Sequence, residues 1–137
     1  MQPSLLATRR RSVGGFTLIE MMITVAIIAI LAGIAWPSYL AYVVRNNRVA
    51  AQTVLMDIAQ RQQQYLLDTR AYATKVSDLS VTVPSNLNNA YAFSIDPPGA
   101  TPPTFTAWAK AIVGTRQAAD GDLSINQAGV KSPAGKW

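Results

Sequence analysis

The sequence predicts an α+β fold in which one long amino-terminal helix lies across a small antiparallel sheet of three or four strands, its hydrophobic half protruding. Three observations carry that expectation. The run from Met21 to Val44 contains no charged side chain, and a helix needs about 20 apolar residues to cross a bilayer. From Val43 to Leu67 the chain turns amphipathic without a glycine or proline, so the helix has no reason to stop. Beyond residue 89, short alternating apolar segments are separated by Gly, Pro and Asn, which is the pattern of a meander of strands.

Residues 1–15 form a short leader with Arg9, Arg10 and Arg11. Those three account for three of the five net positive charges on the 137-residue chain. A secretory signal places its small-residue cleavage site after the apolar region, whereas Gly14 and Gly15 stand before it. A cut there leaves the apolar helix on the product. By the positive-inside rule the arginines stay cytoplasmic and the carboxyl-terminal part lies outside.

Residues 16–44 form the membrane-spanning half of the helix. Its only acid, Glu20, sits at the start. A carboxylate at the edge of a membrane helix is costly and marks a functional residue. No base nearby in the chain suits it, which places its partner on another molecule. Pro37 lacks the amide donor for the carbonyl four residues back, that of Gly33, so a kink or a locally extended segment is expected between them. Trp36, Tyr39 and Tyr42 form an aromatic belt at the far interface.

Residues 45–67 form the amphipathic half, with Ala51, Leu55, Ile58 and Tyr65 on one face and Val54 beside them. The continuous helix is expected from Phe16 to about Leu67, bent near Pro37, over roughly 75–80 Å of rise. Arg45 and Arg48 are expected to meet lipid head groups or neighbouring subunits, with a solvated face as the alternative. Residues 68–89 form a turn-rich connection. Residues 90–137 hold the sheet and the carboxyl-terminal region. Ala90–Ile95 is the first strand, with Tyr91, Phe93 and Ile95 on one face. Phe105–Val113 is the second, with Trp108 and Ile112 on one face. Leu123–Ile125 is the third, followed by a turn at Asn126–Gly129 and a short extension at Val130–Lys131. The Pro97–Pro103 connector is too rich in proline for a ladder. The strand aromatics are expected in the core, the alternative being a stacking platform for single-stranded nucleic acid.

Gly15-Phe16-Thr17-Leu18-Ile19-Glu20, with the basic leader before it and the apolar run through Ala32 and on to Pro37-Ser38-Tyr39, resembles the cleavage and methylation motif of type IV pilins and related pseudopilins. The resemblance implies that a prepilin peptidase/methylase cuts between Gly15 and Phe16 and methylates the new Phe16 amine. It implies that Glu20 serves assembly, and that the helix melts near Gly33 and Pro37 when subunits enter a filament. A Glu20 carboxylate paired with a neighbour's Phe16 amine in a packed, low-dielectric core would fix axial register. The stretch from Asp122 to Lys131 and on to Trp137 resembles the end of PilE-type minor pilins of the type IVa class. Those hold this region with a disulfide. Here there is no cysteine, and closure is left to packing by Trp137 and to turns at Gly121, Gly129 and Gly135.

The resemblance implies a structural subunit of a surface filament for adhesion, twitching motility or DNA uptake. Its partners would be prepilin peptidase, other pilin subunits, the inner membrane and the pilus assembly machinery. Two alternatives stay open: a type II secretion pseudopilin, and a pilin-like DNA receptor using Arg45, Arg70, Lys75, Lys110, Arg116, Lys131 and Lys136. Enzymatic function is not expected. The chain has neither histidine nor cysteine, so the commonest general base and thiol chemistry are missing, and no phosphate-binding glycine loop is present. No cofactor is expected. Asp120-Gly121-Asp122 offers two carboxylates where calcium takes six to eight oxygens, so a turn is the better reading there.

Overall fold

The computed structural model describes residues 15–96 and 101–137. The leader before Gly15 and the first four residues of the proline-rich connector lie outside them. The chain falls into two compact units, one through Ser38 and one from Tyr39 onward.

Helix α1 spans Leu18–Thr69, with Pro37 inside it. It therefore starts and ends two residues later than the expected Phe16 and Leu67. The late start has a local cause. Thr17 caps the helix, its Oγ1 accepting a hydrogen bond from the Glu20 amide at 3.3 Å, as an N-cap hydroxyl does for the third helical residue. The late end is also side-chain work: Thr69 Oγ1 donates to the Tyr65 carbonyl at 2.7 Å. Arg70 then turns the chain with φ 61°, its amide bonding the Leu66 carbonyl at 2.8 Å. In the first unit, Thr24 donates to its own helix at the Met21 carbonyl, 2.9 Å away, so an apolar solvent would meet no free hydroxyl there.

In the second unit, four strands follow: β1 Tyr91–Asp96, β2 Thr106–Ala111, β3 Leu123–Asn126 and β4 Lys131–Ser132. They pair in chain order as an antiparallel meander, with Ser94 opposite Trp108, Trp108 opposite Ser124 and Ser124 opposite Ser132. Short 3₁₀ turns at Val76–Leu79 and Ser85–Leu87 punctuate the connection from α1. The core lies between α1 and the sheet. Ala51, Val54, Leu55 and Ile58 come from the helix, and Tyr91, Ile95, Phe105, Ala107, Ala109, Leu123 and Ile125 from the sheet side. Leu79 and Leu87 close it from the connection, and Tyr72 meets Phe105 edge-on at 4.7 Å between ring centroids.

One orientation differs from expectation. The face of β2 that meets the helix carries Ala107 and Ala109, both fully buried, so Trp108 lies on the other face. There its indole Nε1 donates to Asp96 at 2.7 Å, and Lys110 Nζ lies 6.0 Å from its ring centroid. The small side chains leave room for Leu55 and Ile58, which a tryptophan in that row would displace.

Gln62 is fully buried on α1. Its side chain donates to the Ala73 carbonyl and accepts from the Ala73 amide, both at 2.8 Å. This pair imitates a strand contact and pins the chain just after the helix. Gln62→Leu is expected to leave both buried backbone groups of Ala73 without partners and to cost about 2–3 kcal/mol, read as a lowered midpoint in chemical denaturation of the detergent-solubilised protein.

Candidate functional site

The amino-terminal site is built by the first turn of α1. Thr17 and Glu20 stand at the spacing of a capping box, yet only half of the box forms. Thr17 accepts from the Glu20 amide, while the Glu20 carboxylate is exposed and has no side-chain partner among the described residues. An acid there is favoured by the helix dipole and stays available to another molecule. Phe16 is 71% exposed directly before the helix, next to Gly15. Gly15, Phe16 and Glu20 thus fall within six consecutive residues, the first two before the helix and Glu20 in its first turn. Gly33 and Pro37 lie one turn apart further along α1, and the helix continues through both.

Behind Glu20, the apolar residues of the first unit are exposed on all sides of the helix, Met22, Val25, Ile28, Ile30 and Ile34 among them. The run has a mean hydropathy of 2.5 and none of it is buried. A helix apolar all round belongs in a bilayer or among other helices.

The second unit carries a polar hub. The Asp120 side chain is only 4% exposed. It accepts a bidentate pair from Arg48 Nε and Nη2, the Nε contact at 2.8 Å. It also accepts from the Tyr91 hydroxyl at 2.9 Å and from Gln117 Nε2 at 3.1 Å, and Lys136 Nζ stands 3.9 Å away. Burial pushes the Asp120 pKa up, but the hydrogen bonds from Arg48 and Tyr91 outweigh it and hold the carboxyl below its ordinary value. Burial first, and the hydrogen bond to Asp120 second, push the Tyr91 phenol above its usual range. The hydrogen bond to Asp120 raises the Arg48 pKa. Arg48 is thus bound to its own chain rather than to a lipid or neighbour.

The two acids of Asp120-Gly121-Asp122 have separate partners. The second carboxylate faces elsewhere, accepting from the Ala111 amide at 2.9 Å, and no metal-binding cluster occurs among the described residues.

The carboxyl-terminal segment is held without a disulfide. Gln52 Nε2 donates to the Lys136 carbonyl at 2.5 Å, Trp137 Nε1 to the Ser132 carbonyl at 3.2 Å, and Lys131 Nζ lies 4.8 Å from the Trp137 ring centroid. Trp137 packs against the core, as expected, and Gly129 takes the left-handed φ of 74° that the β3–β4 turn requires. Sequence reasoning missed Thr17, Gln62 and Asp120. The Thr-x-x-Glu spacing signals the first; no local signal exists for the other two.

Comparisons with known proteins agree with this anatomy. A family model described as prokaryotic N-terminal methylation motif matches residues 10–36. A second, described as type IV minor pilin ComP, DNA uptake sequence receptor, matches residues 37–124. Among curated proteins, the chain is 39% identical over 69 residues to the type IV wide pilus major component PilA4 of Thermus thermophilus, covering 50% of this chain and 53% of that one. It is 37% identical over 65 residues to the type IV major pilin protein PilA of Myxococcus xanthus, covering 47% and 30%. It is 31% identical over 84 residues to a fimbrial protein of Neisseria meningitidis serogroup B, covering 60% and 48%. The matches thus span about half the length of these relatives or less. A solved type IV pilin from Shewanella oneidensis superposes with a TM-score of 0.51 at 26% identity, covering 66% of this chain and 92% of that one. With one long helix on a four-stranded antiparallel sheet, a methylation motif at the head of that helix, and a minor-pilin match over more than half its length, the chain belongs to the type IV pilin family.

Proposed function

We propose that the chain is the precursor of a type IV pilus subunit. Prepilin peptidase cuts between Gly15 and Phe16, and the new Phe16 amine is methylated. Before assembly the subunit crosses the inner membrane once, leader inside and sheet outside. The assembly machinery then moves it into a filament with other pilin subunits, where Glu20 takes a neighbour's Phe16 amine, and the turn between Gly33 and Pro37 is where the helix yields. The observation that carries this reading is the unpartnered Glu20 carboxylate at the head of a helix that is apolar and exposed all round. Mass analysis of the protein from membranes and sheared filaments tests it. The expected species begins at Phe16 and is heavier than its bare sequence by one methyl group, about 14 Da. An intact Met1 start overturns the reading.

A second function rides on the same subunit. The family description over residues 37–124 names a DNA uptake sequence receptor, and Arg70, Lys75, Lys110 and Lys131, all outside the pocket that Arg45 and Arg116 line, are exposed. Exposed bases of this kind bind backbone phosphate with counterion release. Duplex DNA is expected to bind with an affinity that falls steeply with salt, and Lys110→Gln to lower the slope of log affinity against log salt by about 1. A mobility shift that is absent at low salt ends this reading.

A further inference from the structure

Arg45 and Arg116 line one pocket of about 400 Å³, together with Arg48 and with Leu40, Ala41 and Val44. Its chemistry is divided. One wall is apolar and comes from the last residues of the uncharged run that starts at Met21. The other is cationic. Among the described residues Asp120 is the only acid on it, and that carboxylate is already committed to Arg48 and Tyr91. The guanidinium groups of Arg45 and Arg116 have no partner among the described residues, although α1 and the turn at Arg116–Ala119 place them on one pocket.

We propose that this pocket holds the phosphate of an anionic phospholipid of the leaflet far from the leader, with Arg45 and Arg116 on the phosphate and Leu40, Ala41 and Val44 on the glycerol and upper acyl carbons. The inference rests on the reading that Met21–Val44 spans a bilayer. Two things select lipid over other phosphates. The apolar wall is continuous in sequence with that span, and Tyr39 and Tyr42, at 61% and 66% exposure, are the residues that settle at head-group depth. Arg45, the first charge after the span, is thereby set at the phosphate level. A guanidinium there binds phosphate through a planar fork of donors.

The test uses the full chain in nanodiscs made of equal amounts of phosphatidylglycerol and phosphatidylcholine, followed by native mass spectrometry of the lipid retained in detergent. The wild type is expected to retain phosphatidylglycerol over phosphatidylcholine. The double variant Arg45→Gln/Arg116→Gln is expected to lower that retention roughly twenty-five-fold, about fivefold for each arginine. Arg70→Gln/Lys75→Gln removes the same charge outside the pocket and leaves retention unchanged. Equal retention of the two lipids, or equal losses in the two double variants, overturns the proposal. Displacement of the lipid by short duplex DNA, with DNA binding lost in Arg45→Gln/Arg116→Gln, also overturns it and gives the pocket to nucleic-acid phosphate. Phenylglyoxal mapping of the wild type supplies a readout independent of how the variants fold. Phosphatidylglycerol shields Arg45 and Arg116 but not Arg70, and absence of that shielding overturns the proposal. Vesicle flotation separates the two levels: a chain that does not float defeats the membrane reading itself, while one that floats without lipid preference defeats only the pocket.

Discussion

Glu20→Ala is expected to leave the protein in the membrane and almost none of it in filaments. Removing the acid makes the helix start more apolar, so insertion is not weakened. Thr17 still caps the helix, because the 3.3 Å bond uses the backbone amide of residue 20 and not its carboxylate. The substitution thus spares the fold and removes only the carboxylate proposed to pair with a neighbour. Between packed helices a Phe16 amine left without its carboxylate carries a desolvation cost of several kcal/mol. Incorporation should fall by at least about a hundredfold, the factor that some 3 kcal/mol represents. The measurement is the ratio of variant in sheared filaments to variant in membranes when it is co-expressed with wild type. Glu20→Gln separates charge from shape and should fail as well. A ratio near that of wild type for either variant would remove Glu20 from assembly.

Asp120→Ala is expected to be the most destabilising single change in the second unit. It strips hydrogen-bond acceptors from Arg48, Tyr91 and Gln117 together. Breaking a buried pair from one side costs about 3–5 kcal/mol, because the remaining charge is left uncompensated. For a unit of this size that corresponds to a loss of more than about 10 °C in Tm. Replacing Arg48 with Met in the Asp120→Ala background should recover part of the loss. A double variant no more stable than Asp120→Ala would show that the pairing is not the source. The pH dependence follows from the lowered carboxyl pKa. The folded state binds this proton less readily than the unfolded chain, so the contribution is complete above the ordinary value of 3.8 and is lost as pH falls below it through the folded value. Thermal melts of the wild type should therefore drop below pH 4, and Asp120→Asn, less stable at neutral pH, should show a shallower acid decline.

The difference between what the sequence disclosed and what it hid has a physical origin. Helix α1 was legible to within two residues at either end, because a charge-free run and an amphipathic run join without a breaker between Val43 and Leu67. The strands were legible from alternation. At β2 the inner face is carried not by the large side chains that usually mark a core but by the alanines at positions 107 and 109. A methyl group is too small to announce burial, and it matters here because of what packs opposite. The motif at Gly15–Glu20 could be read because it is contiguous. The Asp120 hub could not, since Arg48 and Asp120 stand 72 residues apart and nothing local distinguishes a buried aspartate from one in a turn. Gln62 was hidden differently: it sits within a polar glutamine run, and only its partner, the Ala73 backbone, explains its burial.

The closure of the sheet end by Gln52, Lys136 and Trp137 has a practical consequence for watching this subunit at work. A carboxyl-terminal segment held by hydrogen bonds, an ion pair and a ring needs no oxidising step, and the sequence is free of thiols. A single cysteine introduced at Val113, which is 92% exposed, would be the sole attachment point for a fluorophore. It would compete with no native thiol and tolerate reductant throughout, so the subunit could be followed under the microscope on a protein whose fold the label leaves alone.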